Sequence, residues 1–478
     1  MNVVCIPDED VRNIGSSGTV EDEYIERFAK PEEIGLTTKR FKNTTLMPRE
    51  MSYDNVYPVP AGTFDIQPVK NDKVPLDKRV SGTFSEGTLV QLLSRGPQDT
   101  FLTYNPQMSF FKQVYKRYTN FAVQQFEEKF STTVRFGTKN TCTLSKNGDL
   151  VGTMCLRIVL PDLGLPGGTW KETMGYNVMS DVTLRIGDTV VQRHPSLWMD
   201  IEDKLFCPSE KYEGLGKIVK RDEVLSANVS HQLIVPLKFF CCYRTSSKQQ
   251  YIPILNLNTN INVYLDFNLK PLNILVNVPA GSELPDVPPL DAGVLVDYVF
   301  LDDTERYRFA QNPSTYMMEQ LSIMDANTYL TTTNGQIVNT DKVYIALRQL
   351  NKPVKYVAVV SQLENDFTSF TYYDIVQKST FYLNSDEQFE PRNGDYFKLV
   401  QTYQHFTRSN DVDNILTFSF ALDAGSFQPS GMLNFAPYVR TQFAFDITPQ
   451  EIPKKIRIFA VCINWVDFDS GMCRLKFN

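Results

Sequence analysis

The sequence predicts an all-β protein of two large sandwiches carrying an extended N-terminal arm, and three observations lead there. The chain has 478 residues, 42% of them hydrophobic and 12% aromatic, which is beyond the length at which one hydrophobic core usually keeps growing. From about residue 83 it is written in short segments rich in Val, Ile, Thr, Tyr and Phe, punctuated by Gly, Pro, Asn and Asp, the composition of strands and turns. Segments of this kind recur in both halves, so the two halves look built alike.

Residues 1–82 are different in character. They mix acidic clusters (Asp8-Glu9-Asp10, Glu21-Asp22-Glu23) with prolines and few apolar runs, which is the composition of an extended or partly disordered arm. Val20 to Lys30 places Tyr24, Ile25 and Phe28 at helical spacing, but three turns without a partner are marginal in water. Next, Phe110, Phe111, Val114, Tyr115 and Tyr118 recur at spacings of three and four and predict a helical or irregular element, amphipathic where helical. Val182-Thr183-Leu184-Arg185-Ile186 alternates before the turn-forming Gly187-Asp188, and Ile261 to Phe267 alternates more strongly, so each buries one face. Trp198 to Phe206 is a mixed charged segment of helical or irregular character, and the proline-rich stretch Pro271 to Pro289 suits an excursion between strands. In the second half, Val357 to Val360, Leu416 to Phe420, Phe443 to Ile447 and Ile456 to Val461 supply comparable strands.

The formal charge of -7 argues against a protein that neutralises phosphates, which needs a strongly basic face, so no direct nucleic-acid contact is expected. No apolar run of membrane-spanning length is present, and the N-terminus turns acidic at Asp8 before a signal region can form; the expectation is a soluble chain made in the cytoplasm. The eight cysteines (Cys5, Cys142, Cys155, Cys207, Cys241, Cys242, Cys462, Cys473) contain no C-x-x-C pair and read as reduced core thiols. Sequons occur at Asn43 and Asn228.

Catalytic chemistry finds few candidates. Asp302, Asp303 and Glu305 are the nearest to a carboxylate pair for glycoside hydrolysis, yet Arg306 and Arg308 beside them point to salt bridges at a domain junction. His194, His231 and His405 are too scattered for a local metal motif and read as structural hydrogen-bonding groups. Gly164-Leu165-Pro166-Gly167-Gly168 is a turn, since no lysine and hydroxyl residue follow as in a phosphate loop. Lys112 to Arg117 interleaves bases with aromatics, as a base-stacking platform does, but helical spacing reads it as an ordinary amphipathic element. The sequence therefore predicts no catalytic, cofactor-binding or metal-ligating residue.

Several spaced segments carry a resemblance. Leu89-Val90-Gln91-Leu92, Gly96-Pro97-Gln98-Asp99-Thr100-Phe101-Leu102-Thr103, Asn105-Pro106-Gln107, Phe110-Phe111-Lys112 and Tyr118-Thr119-Asn120-Phe121 come first. Ser145 to Leu150, Asp297 to Arg306 with Arg308 to Gln311, Asn351 to Lys355, Arg392 to Phe397, Tyr403 to Arg408 and Phe427 to Asn434 follow in order. Together they resemble the major capsid proteins of nucleocytoplasmic large DNA viruses over residues 88 to 478. The arm before residue 88 has no counterpart in that pattern, and the segments between motifs diverge, as at Cys241-Cys242.

The resemblance implies two consecutive eight-stranded jelly-roll sandwiches with short helices in loops, residues 83–305 and 306–478, behind an arm of residues 1–82. It implies a non-enzymatic structural protein of the virion, made in the host cytoplasm at assembly sites. Three chains would form a homotrimer of six similar sandwiches that packs with neighbouring capsomers into an icosahedral shell. The arm would meet minor capsid or internal membrane-associated proteins, and outward loops are free to contact host glycans. A diverged paralogue in a minor capsid or scaffold position, and a carbohydrate-binding or carbohydrate-cleaving β-sandwich, are the alternative readings.

Overall fold

The computed structural model describes residues 86–477 apart from 95, 113–114, 222, 244–249, 328–330, 334–335, 339–341, 348–349, 365–367, 385, 410–413 and 449–453. The Val20–Lys30 helix, Asn43 and Cys5 lie outside the described residues. The chain divides into two compact units, one reaching Val114 and one from Tyr115 to Asn478.

The first unit contributes two short helices, α1 (Glu86–Leu93) and α2 (Pro97–Thr103). The Gly96 amide donates to Asp99 Oδ2 at 3.1 Å, and Pro97 sits at the first helical position, where its missing N–H costs nothing. Leu93 and Leu102 are exposed.

Of the helical or irregular element expected around Phe110 to Tyr118, the described residues take the irregular form. Residues 106–112 make bends and a turn, 115–120 have no regular structure, and Phe110, Phe111, Tyr115 and Tyr118 are each more than 80% exposed. So short a helix is stable only when its apolar stripe has a surface to bury, and within its own unit neither end of this segment has one. Strands begin only at Phe121.

The second unit is built from two sandwiches. The first has strands β1 (Phe121–Lys129), β2 (Lys139–Thr143), β3 (Leu150–Leu160), β4 (Met179–Ile186), β5 (Thr189–Pro195), β6 (His231–Pro236), β7 (Val263–Leu269) and β8 (Ala292–Leu301). They form two antiparallel sheets in the orders β1-β8-β3-β6 and β2-β7-β4-β5. The alternation legible in the sequence sets the register: Val182, Leu184 and Ile186 of β4 lie opposite Phe267, Leu265 and Val263 of β7, and all six are buried in one core. Between β5 and β6 lie α3 (Ser196–Phe206) and α4 (Ser209–Val219), and α5 (Asp303–Gln311) follows β8. The excursion after Pro271 holds one helical turn, Leu272–Leu275, and the strand pair Val276–Asn277 with Thr169–Trp170.

The second sandwich repeats the plan. Strands β9 (Ser314–Asn327), β10 (Lys342–Ala346), β11 (Pro353–Leu363), β12 (Val376–Leu383), β13 (Asp386–Asn393), β14 (Leu416–Ser419), β15 (Thr441–Ile447) and β16 (Lys454–Asp469) form sheets in the orders β9-β16-β11-β14 and β10-β15-β12-β13. Each strand thus occupies the place of the strand eight before it, and the two sandwiches share one jelly-roll topology. The second core is aromatic: Phe397 lies 4.4 Å from Phe418, which lies 4.5 Å from Phe443, centroid to centroid, separations at which offset or tilted rings attract.

Candidate functional site

Among the described residues the most elaborate side-chain chemistry lies at the junction of the two sandwiches. The run Val354 to Val360 explains why. Val357 and Val359 enter the second core, whereas Tyr356, Ala358 and Val360 point the other way into a separate cluster with Leu197, Trp198, Ile201 and Leu205 of α3. A strand buried on both faces loses its polar alternation and reads as a continuous apolar run. β16 does the same, with Ile458 and Ala460 inward and Phe459 and Val461 against α3. Farther along β16, Val466 and Phe468 join the core of the first sandwich.

Polar contacts fix the alignment. Edge strand β5 meets edge strand β9 through Gln192 Nε2 donating to the Glu319 carbonyl at 2.6 Å and Gln320 Nε2 donating to the Val191 carbonyl at 3.1 Å. The Arg408 amide donates to the Leu205 carbonyl at 3.1 Å, and Asn177 Nδ2 to the Thr368 carbonyl at 2.6 Å.

α3 is buried from Ser196 to Leu205, so its charged residues must be paired. Asp203, 0% exposed, accepts from Tyr176 Oη at 2.5 Å, from Arg221 Nη2 at 3.0 Å and from Lys238 Nζ. Asp200 accepts from Tyr372 Oη of the second sandwich at 2.7 Å and pairs with Lys204 Nζ at 3.1 Å. Arg221 and Arg408 lie over the Tyr212 ring, 4.3 and 3.3 Å from its centroid. Burial, reinforced by the neighbouring aspartates, drives the Tyr176 and Tyr372 hydroxyls well above the usual tyrosine range, so both stay protonated and donate. Burial also lifts the Glu202 carboxyl to about 7, opposed by Lys238 and the Tyr243 hydroxyl. None of Asp200, Glu202, Asp203, Arg221 and Lys238 stands out in the sequence; the one signal is a mixed-charge helical segment beginning at a tryptophan.

The carboxylates singled out for hydrolysis do other work. Asp302 caps α5, its Oδ1 accepting from the Glu305 amide at 2.8 Å, and Asp303 is solvent-exposed, 3.5 Å from Arg306. Arg306 grips Asp149 with two hydrogen bonds, Nε at 3.0 Å and Nη2 at 2.9 Å, while the Leu301 amide donates to Asp149 Oδ2. The segments Ser145–Leu150 and Asp297–Arg306 therefore meet in space. Glu128 ties them again, accepting from Ser145 Oγ and Tyr298 Oη, each at 2.7 Å.

The remaining candidates are dispersed. His194 stacks on Phe239 at 5.4 Å, and burial together with Lys238 depresses it to about 3, which keeps it neutral. His231 bonds the Ser226 carbonyl and His405 the Leu422 carbonyl, each at 3.0 Å; His405 ends a helical stretch begun at Tyr396. Gly164 and Gly167 take φ of +61° and +79° in their turn. The seven described cysteines carry reduced thiols, with Cys142 and Cys473 each pushed up to about 12, chiefly by burial. Among the described residues no group of three or more His, Cys, Asp or Glu is placed to hold a metal. Asn228 is exposed.

Two family models match in succession: the major capsid protein N-terminus over residues 109–302 and the large eukaryotic DNA virus major capsid protein over residues 305–473. The major capsid protein of Paramecium bursaria Chlorella virus 1 is 30% identical over 384 residues, 73% of this chain and 85% of that protein. The chain belongs to the major capsid proteins of large eukaryotic DNA viruses. A second major capsid protein, from Pyramimonas orientalis virus, is 28% identical over 82% of this chain and 99% of that one. Among solved structures, a quasi-atomic model of the PBCV-1 virus capsid superposes with a TM-score of 0.66 at 25% identity, covering 77% of this chain and all of the other. The Faustovirus major capsid protein shares the fold, with a TM-score of 0.60 at 9% identity over 79% of this chain and 96% of that one. As a family member this chain is a double jelly-roll structural protein of a viral capsid.

Proposed function

We propose that this capsid protein works as a homotrimer whose six sandwiches form a pseudo-hexagonal capsomer, tiling the flat facets of an icosahedral shell without catalysing a reaction. Residues 83–305 and 306–478 are the two building blocks, and residues 1–82 are the arm. The observation that carries this reading is the repeated strand order, with each strand matched by the one eight later, in two sandwiches clamped by α3. One chain therefore offers two similar blocks in a fixed alignment, and three chains offer six.

Trimer contacts are large and apolar enough to be permanent, and contacts between capsomers smaller and more polar, so that assembly errors reverse. Many weak contacts then hold each capsomer once the lattice closes. The arm meets minor capsid or internal membrane-associated proteins; supporting such partners, the residues just after it leave Leu93, Leu102, Phe110 and Phe111 exposed, apolar surface that a monomer in water does not favour. Assembly takes place in the host cytoplasm, and outward loops take any host-glycan contact.

Light scattering on the purified full chain, with negative-stain microscopy, tests the proposal. A species of three times the chain mass with a six-cornered outline is expected. A stable monomer or dimer at micromolar concentration overturns it.

A further inference from the structure

A cavity of about 470 Å³ opens at the junction of the two sandwiches, within the size range of small-molecule sites. α3 lends it Trp198, Glu202 and Phe206, and the second sandwich lends it Tyr356 and Met318. Tyr356 lies 6.4 Å from Trp198 and 5.4 Å from Phe206, centroid to centroid, so the three rings form one connected aromatic wall.

Four charged side chains line this space, Glu202, Glu319, Lys211 and Lys238. Lys238 is bound to Asp203, Glu319 receives Lys355 Nζ at 2.6 Å, and Lys211 is exposed to water. Glu202 differs. It is only 7% exposed, its Oε1 accepts from Tyr243 Oη, and its Oε2 is buried with no hydrogen-bond partner among the described residues. An unmatched buried carboxylate oxygen is costly and favours any donor that reaches it. Aromatic faces beside a carboxylate are suited to an organic cation, which the rings attract through their quadrupoles.

We propose that this cavity binds a small primary ammonium ion on an alkyl or arylalkyl body, with its N–H groups on Glu202 Oε2 and its body against Trp198, Phe206 and Tyr356. The ammonium supplies the missing donor, and the carboxylate supplies the charge that selects it over a neutral molecule of equal size. The groups that bear on Glu202 are Lys238 and Tyr243, which favour its ionised form, and Asp203 and Glu319, which oppose it; His194, which also lines the cavity, is neutral. Since burial holds the empty site's carboxyl near 7, binding weakens as pH falls below that value.

The test is calorimetric titration of the full chain at pH 8 with 2-phenylethylammonium chloride, and with 2-phenylethanol as its neutral match. One-to-one binding of the ammonium is expected, at least tenfold tighter than the alcohol and at least tenfold weakened in Glu202→Gln, which keeps an acceptor for Tyr243. Absence of saturable ammonium binding, equal affinity for the alcohol, or unchanged affinity in Glu202→Gln overturns the proposal. The comparison of the two probes needs no variant, so it stands whether or not Glu202→Gln folds.

Discussion

Replacing Asp203 with alanine is the sharpest probe of the junction. The carboxylate is fully buried and takes three donors, the Tyr176 hydroxyl, Arg221 and Lys238. Its removal leaves the buried Arg221 and the partly buried Lys238 short of their counter-charge. Breaking a buried ion pair by deleting one partner costs about 3–5 kcal/mol, because an uncompensated charge stays behind. Taking about 4 kcal/mol, and an unfolding entropy of about 2.1 cal/mol/K per residue over roughly 360 residues, the unfolding midpoint falls by about 5 °C. Differential scanning calorimetry on the full chain reads this directly, with the exposed Asp303→Ala as the comparison expected to move nothing measurable. A second variant, Asp203→Leu with Lys238→Met, recovers part of the loss, since apolar replacement of a whole buried pair is often neutral. A shift below about 1 °C for Asp203→Ala would show that water reaches the network and that α3 is not the clamp described here.

Three further outcomes are expected. Glu202 has its carboxyl raised from 4.5 to about 7 in the folded chain, so its contribution to stability is full below pH 4.5 and is lost as pH rises through 7; Glu202→Gln removes that loss and gains up to about 3 kcal/mol at pH 8 but little at pH 4.5, measured as urea midpoints at the two pH values. Trp198→Ala strips the ring that stacks between Tyr356 and Phe459 and costs about 3–5 kcal/mol; an unchanged denaturation midpoint rules out Trp198 as an anchor. Gly471 has φ of +77°, and a Cβ there would stand 2.1 Å from Asn258 Oδ1, so Gly471→Ala costs on the order of 1–3 kcal/mol through backbone strain alone; wild-type thermal stability would contradict that geometry.

What the sequence made legible follows from periodicity. Val182 to Ile186 and Val263 to Phe267 alternate because each strand turns one face into the core and a more polar face away from it, and the structure pairs them in register. The run Val357 to Val360 is legible as a strand but not as a junction strand, because burial on both faces erases the alternation that would assign its sides. The order of strands within the sheets is illegible from any single segment, since it is fixed by pairings across the length of each sandwich. Phe110 to Tyr118 stays open between helix and irregular chain for the opposite reason: helical spacing is present, but no surface within its own unit rewards a helix. The ion network is hidden more deeply. Asp200, Asp203 and Lys204 have the spacing of a solvated helix face, and their partners Arg221, Lys238 and Tyr372 come from distant segments. The Asp149–Arg306 grip lies on two segments that the family resemblance marks, although local pattern gives no reason to pair them.

The shared helix α3 also bears on the order in which the polypeptide matures. A ribosome releases the first sandwich and α3 before β11 and β16 exist, so Trp198, Ile201 and Leu205 wait in water for the strands that later cover them. Synthesis from the N-terminus thus lets the later half condense onto a surface already in place. The reverse arrangement, a second sandwich made alone, would leave Tyr356, Ala358, Val360, Phe459 and Val461 as a bare sheet face prone to sticking to its own kind. Expressed separately, the C-terminal half should therefore be the aggregating partner, rescued when the N-terminal half is made alongside it.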